Sequence, residues 1–357
     1  MIDQLLTQRA LPALTAMNDG STADTAEKWR ERRKELIHLL SEQVYGFTPA
    51  APEKVDCEIL SSDEKAFANK AVHQKLSLSF DAPNGKFSFP VDFITPKKVS
   101  PAPLFITIAF RPDVPDRYLP MEEIIDHGYA VATFHYNDVT TDNGEYTGLK
   151  TMYPCDEKTG WGKIGMWAFA ASRVMDYALT RGDIDHSRIA VNGHSRLGKT
   201  ALWCGAQDER FSMVISNDSG CSGAAITRDK VGETVEVITR VFPYWFCGNY
   251  RAWANKEHEM PFEQHMLLAL TAPRHLYVCS AEEDSWADPE SEFLSCAAAS
   301  PAWDVCGETG LVTPDHLPEI GDALHEGKVG YHVRSGSHFL SRTDWLCYIE
   351  YRDRHNV

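Results

Sequence analysis

An α/β fold, a mostly parallel sheet covered by helices on both faces, is what this 357-residue sequence predicts, on three observations. Short apolar runs, apolar on both faces of a strand, recur along the chain, and segments with helical spacing stand between them. Midway, one such run passes into a helix through the turn "GHSRLG" (193–198), where small Gly193 precedes Ser195 by two residues.

In chain order, the first element is a helix beginning at Asp24, where D-x-x-E (Asp24, Glu27) can cap it. Trp29, Leu36, Ile37, Leu40 and Val44 then follow near 3.6-residue spacing to Gly46. Residues 1–46 are accordingly read as a helical extension of a single domain spanning 1–357. Two alternating segments, "QKLSLSF" (74–80) and "KFSFPVDFI" (86–94), joined by "DAPNG", predict an antiparallel pair at a sheet edge. Six apolar runs follow: "PLFITIAF" (103–110), "YAVATFHY" (129–136), "RIAVN" (188–192), "SMVISN" (212–217), "HLYVCSA" (275–281) and "GYHVRSG" (330–336). "WGKIGMWAFAASRVMDYALTRG" (161–182) predicts a long helix between the second and third, and "GKTALWCGAQ" (198–207) opens another after the third. The aromatic-rich stretch 223–272 has no strand pattern and is read as a helical cap or cleft wall.

Composition narrows the function classes. Apolar residues make up 43% of the chain, enough for a substantial core. Lys and Arg number 35 against 51 Asp and Glu, a net charge of −16, which argues against nucleic acid and anionic membrane as partners. The N-terminus lacks a basic stretch leading into an apolar core, so a cytoplasmic location is expected, or a secreted one if a leader has been removed. The nine cysteines are scattered and never paired as C-x-x-C, which predicts buried reduced thiols. Oligomeric state is left open.

The central motif has two readings. Gly193 to Thr200 satisfies G-x-x-x-x-G-K-[ST], a phosphate loop, and "MVISND" supplies a strand ending in Asp218 that could hold magnesium. Yet the loop follows about five strands, late for such a site. A nucleophilic serine needs a base, an acid to orient it and donors for the oxyanion, arriving in the order Ser, Asp/Glu, His. Ser195 follows "RIAVNGH", Asp218 ends the next strand, Asp284 follows "HLYVCSA", and His338 lies in "SGSHFL" after the last strand. A general base there is worth about two to four orders of magnitude in rate. "NDSG" (217–220) matches a trypsin-like motif by coincidence. His258, Glu259, Glu263 and His265 lack the H-E-x-x-H spacing, and no metal or cofactor is expected.

The pattern departs from G-x-S-x-G, because the second glycine is displaced to Gly198. With "GHSRLGKTALWCGA" (193–206), "NDSGCSGAA" (217–225), "MPFEQHMLLALTAPRHLYV" (260–278) and "DSWADPESEFL" (284–294), the chain resembles the bacterial glucuronoyl esterases of carbohydrate esterase family fifteen, from about residue 25 to 345. The resemblance implies an α/β-hydrolase three-layer sandwich and a serine-dependent carbohydrate ester hydrolase acting on small-molecule or oligosaccharide (4-O-methyl)glucuronoyl esters. An acetyl (xylan) esterase of the same fold is the alternative. It also implies Ser195 as nucleophile, Arg196 as an oxyanion donor, and Lys199, Glu233 and Trp286 as contacts to the uronic acid ring. Taken alone, Trp286 could equally be a core aromatic and Glu233 a solvated helix residue. His194 is read as a packing residue. The acid is Asp284 or Asp218, with Asp284 preferred because the Asp218 side chain is a methylene shorter than the glutamate at its position in many relatives.

Overall fold

The computed structural model describes residues 1–357 and contains one ten-stranded sheet. Its strands are β1 (Asp56–Lys65), β2 (Ala71–Ala82), β3 (Gly85–Pro96), β4 (Ala102–Ala109), β5 (Ala130–His135), β6 (Ile184–His194), β7 (Met213–Asn217), β8 (His275–Ala281), β9 (Ala323–Leu324) and β10 (Val329–Arg334). Their spatial order is β1-β2-β3-β5-β4-β6-β7-β8-β10-β9. The six from β5 to β10 in that order run parallel, while β1, β2 and β3 form an antiparallel edge and β9 pairs antiparallel with β10.

The doubly apolar runs are explained by burial on both faces. Leu104, Ile106, Ile189, Val191, Val214, Leu276 and Val278 pack into a core of 75 buried residues on one face. Their alternate neighbours Phe105, Ala190, Met213, Ile215, Tyr277 and Cys279 pack into a core of 20 on the other. Side chains of period two therefore feed two layers, and neither face can be polar. Helices Ala26–Leu40, Lys163–Ala178, Arg196–Gln207 and Pro289–Ala299 cover the larger core, and Arg342–His355 with Met121–Asp126 covers the smaller.

The hairpin forms with Ala82 opposite Gly85, leaving Pro83 and Asn84 as its two-residue loop. The first long helix is capped one residue later than the D-x-x-E pattern implies: the Thr25 side chain accepts from the Lys28 N–H, and Asp24 instead pairs with the Lys28 ammonium at 2.8 Å. All nine cysteines are free, but Cys57 and Cys155 are exposed rather than buried. The stretch 223–272 carries only short helices, among them Val235–Val241 and Gln264–Ala269. No helix of the structure is long and apolar enough to cross a membrane.

Candidate active site

Four of the singled-out residues lie just past the carboxyl ends of parallel strands: Ser195 after β6, Asp218 after β7, Asp284 after β8 and His338 after β10. Loops at that edge of such a sheet converge on a common crevice. Ser195 adopts φ 59° and ψ −127°, a conformation L-residues rarely hold. Its N–H donates to the Asn217 carbonyl at 2.8 Å, and its own carbonyl accepts from Gly198 N at 2.9 Å. The turn is tight enough to dictate both glycines. A Cβ at 193 would stand 2.1 Å from the Leu197 carbonyl oxygen, and one at 198 would meet Ser219 Cβ at 3.0 Å and the Gly193 carbonyl at 3.1 Å. The glycine displaced from the G-x-S-x-G pattern thus serves the packing of the first helical turn against the loop after β7.

His338, 41% exposed at its side chain, lies 2.5 Å through Nδ1 from Asp284 Oδ2, which is almost fully buried. Burial alone would raise the Asp284 carboxyl, but the hydrogen bond and positive charge of His338, with the Ala287 N–H, hold it below the ordinary value. An ionised Asp284 can only accept, so Nδ1 donates to it and Nε2 is the nitrogen available to act as a base. His194 packs its ring 4.4 Å from that of His338 and donates through Nδ1 to Asn217 Oδ1 at 2.5 Å. Burial and the neighbouring His338 pull its pKa down to about 3, so His194 is a neutral packing partner.

Asp218 does not bond His338. Its oxygens accept from Ala281 N at 2.8 Å, Arg334 Nη2 at 3.3 Å and Phe339 N at 3.5 Å. Burial, then Glu292, push its carboxyl well above the ordinary value in spite of Arg334. Between the two acids, the geometry pairs Asp284 with the imidazole.

Arg196 opens the helix Arg196–Gln207, so its N–H has no intrahelical acceptor and points out beside Ser195. Its guanidinium donates through Nη1 to Asp142 and lies over Trp245 at 4.7 Å, while Nε has no acceptor. Asp142 is itself held by Trp245 Nε1 at 2.6 Å and Tyr136 OH at 3.2 Å. Sequence reasoning missed Asp142, because a lone Asp in the polar loop "TTDNGEY" carries no periodic or spacing signal.

Lys199, one helical turn after Ser195, is buried; its ammonium donates to the Ser219 carbonyl and lies 3.8 Å from Glu233 Oε2. Burial lowers its pKa, opposed chiefly by Glu233. Thr200 is fully buried and donates to the Arg196 carbonyl. The Thr200 hydroxyl, which a phosphate loop would use to hold magnesium, is buried and spent on the Arg196 carbonyl, which tells against the nucleotide reading. Glu233 precedes a helix and is buried rather than solvated, and its N–H donates to the Trp286 carbonyl at 3.1 Å. Gly232 enables that approach: at φ +73°, a Cβ would lie 2.5 Å from the same carbonyl. Trp286 is 53% exposed, so its ring is a surface and not part of the core.

The residues near "EHEMPFEQH" do not converge as metal ligands would. His258 pairs with Asp229 on the surface, whereas the buried Glu263 carboxylate accepts from Thr227, Arg228 and Gln264. Two other groups bring metal-type donors within 4.8 Å of one another, Asp218 with Asp284 and His338, and Cys279 with His332 and Asp344. In both, the Arg334 guanidinium bonds a carboxylate and supplies positive charge there.

The chain is similar to known proteins over most of its length. A family model described as glucuronyl esterase of fungi matches residues 79–307. The protein named carbohydrate esterase MZ0003, from an unknown prokaryotic organism, is 36% identical over 97% of this chain and 89% of its own length. The 4-O-methyl-glucuronoyl methylesterase of Schizophyllum commune is 26% identical, covering 84% of this chain and 74% of its own. Among solved structures, a glucuronoyl esterase from Solibacter usitatus superposes with a TM-score of 0.89 at 34% identity, covering 96% of this chain and 97% of that one. A promiscuous esterase of carbohydrate esterase family 15 from a marine bacterial metagenome gives 0.89 at 35%, covering 97% and 96%.

Proposed function

Because the chain belongs to the glucuronoyl esterase family, we propose that it is a serine esterase that hydrolyses (4-O-methyl)glucuronoyl esters, a carboxylic ester hydrolase with the α/β-hydrolase fold. The observation that carries the chemistry is the His338–Asp284 hydrogen bond on loops that meet the strained Ser195 turn.

The mechanism follows from the atoms. Ser195 Oγ attacks the ester carbonyl while Nε2 of His338 takes its proton, and Asp284 stabilises the imidazolium through Nδ1. The charge that develops on the carbonyl oxygen is met by the Arg196 N–H and the fixed guanidinium beside it. One such donor is typically worth about 3 to 4 kcal/mol. Collapse expels the alcohol, which receives the proton from His338. Water then attacks the acyl-enzyme with His338 again as base, releasing the uronate and restoring Ser195.

Lys199, Glu233 and Trp286 supply the sugar-binding side. The buried ammonium and carboxylate are donors and acceptors for ring hydroxyls, and the exposed indole offers a flat apolar face to the pyranose. The test is hydrolysis of benzyl glucuronate beside p-nitrophenyl acetate, by the wild type and by Ser195→Ala. Efficient cleavage of the uronate, lost with Ser195, is the expected result. Cleavage of the acetate alone would leave the nucleophile in place and refute the uronate pocket.

A further inference from the structure

A second cleft, of about 450 Å³, is lined by Tyr146, Lys150, Lys163, Tyr244 and Arg251 with residues 155–157 and 160–162. Its size falls within the roughly 300–1,000 Å³ of small-ligand sites, and none of the proposed catalytic residues lines it. Two cations, Lys150 and Arg251, face it and a third, Lys163, is buried in its wall, none forming an ion pair, in a chain of net charge −16. Of the two acids on its lining, Asp156 is occupied by the Lys158 and Thr159 N–H groups and the Thr159 hydroxyl, and Glu157 is exposed.

Lys163 is the informative member. It is fully buried, and its ammonium donates to the Thr141 and Glu145 carbonyls, leaving one of three N–H groups without an acceptor. It also begins the 16-residue helix Lys163–Ala178, whose amino end already carries partial positive charge. Burial first, then Lys150, bring its pKa down to about 8. A cation opposed by burial, by a helix terminus and by a neighbouring cation gains most when an anion enters. The aromatic component is present too: Tyr146 is 58% exposed, and Lys163 Nζ lies 5.4 Å from the Tyr244 ring.

We propose that this cleft binds the carboxylate of a uronic acid sugar, with Lys150 and Arg251 meeting the charge, Tyr146 the ring, and buried Lys163 adding positive field from behind the wall. The choice of a uronate among carboxylates rests on the function proposed above. The loop 141–147 walls the cleft with Tyr146 and holds Arg196 with Asp142, so the two sites share one loop.

The test is calorimetric titration of Ser195→Ala protein with an unesterified glucuronate-bearing xylo-oligosaccharide, and with the neutral xylo-oligosaccharide of equal length. Two binding events are expected for the acidic sugar. In the Lys150→Met/Arg251→Met background the second should weaken by about tenfold per cation removed. Benzyl glucuronate hydrolysis by the otherwise wild-type double variant should stay unchanged. A single event, a second event indifferent to Lys150 and Arg251, or equal binding of the neutral sugar would each overturn the proposal. Failure of the wild type on benzyl glucuronate would instead strike the function proposed above, so the two failures are distinguishable.

Discussion

At the scale of single residues, the two acids make opposite predictions. Asp284→Asn keeps the shape but reverses the hydrogen bond to Nδ1, so the imidazole takes the wrong tautomer; kcat should fall by about four orders of magnitude, as when a triad acid is neutralised. Asp218→Asn replaces a carboxyl that burial and Glu292 already hold toward its neutral form, and the amide oxygen can still accept from Ala281 N. Its loss should stay within about tenfold, the worth of one ordinary hydrogen bond. Equal losses in the two variants, measured on benzyl glucuronate, would sink the assignment of the acid. Trp286 gives the cleaner probe of the sugar site. Lys199→Met would strand Glu233 as a buried unpaired charge, costing about 3 to 5 kcal/mol of stability, whereas Trp286 is 53% exposed. Trp286→Ala should raise KM for the uronate ester by about threefold to tenfold and leave p-nitrophenyl acetate unaffected. These residues were legible because chain order and spacing mark them. Asp142 was not, since its role depends on a contact with Arg196 that spans 54 residues of sequence.

At the scale of elements, the loop that bears His338 owes its shape to Arg334 at the end of β10. The guanidinium donates to the carbonyls of Ser335 and Ser337 at 3.0 and 3.2 Å and to that of Phe339, which bracket His338. On its other side Nε donates to both Asp344 oxygens at 3.0 Å, and Asp344 caps the helix Arg342–His355. Lysine keeps the charge but not this planar fork. In Arg334→Lys, kcat on both esters should drop by about a hundredfold, the effect of misplacing a catalytic group by about 1 Å, with KM little changed. An unaltered kcat would show that the loop holds itself. Sequence reading located β10 from its apolar run but saw in Arg334 only a strand residue. It missed β1 for a related reason: almost every β1 residue is exposed, so the strand shows neither alternation nor an apolar run and is held by its pairing with β2. The β9 bridge, two residues long, is below any pattern. The parallel strands were legible because two buried faces make apolar residues predominate on both sides of each strand.

At the scale of the whole molecule, histidine burial fixes how stability depends on pH. His194, His265 and His275 have pKa values lowered to about 3 and His325 to about 4, in each case chiefly by burial. Below about 6.5 the unfolded chain therefore binds protons that the folded chain refuses, and stability falls as pH drops through that window. His332 acts in the opposite direction. Burial opposes its charge, but the Asp344 carboxylate 2.9 Å away prevails and raises its pKa to about 9. The folded state then holds a proton that the unfolded state releases above about 6.5, so this contribution is complete below that pH and is lost as pH rises through 9. The two histidine effects meet near pH 6.5, while Glu292, whose carboxyl burial raises to about 7, and Asp218 add a loss of stability as pH climbs toward 7 that opposes the acid limb. In His332→Gln the whole curve should lie lower, because Asp344 loses a buried partner, but the decline between about pH 6.5 and 9 should flatten while the acid limb keeps its slope. Scanning calorimetry across pH 4 to 9.5 on both proteins checks this. An alkaline decline of equal slope in the variant would mean that His332 is neutral in the fold and that Asp344 is balanced by Arg334 alone.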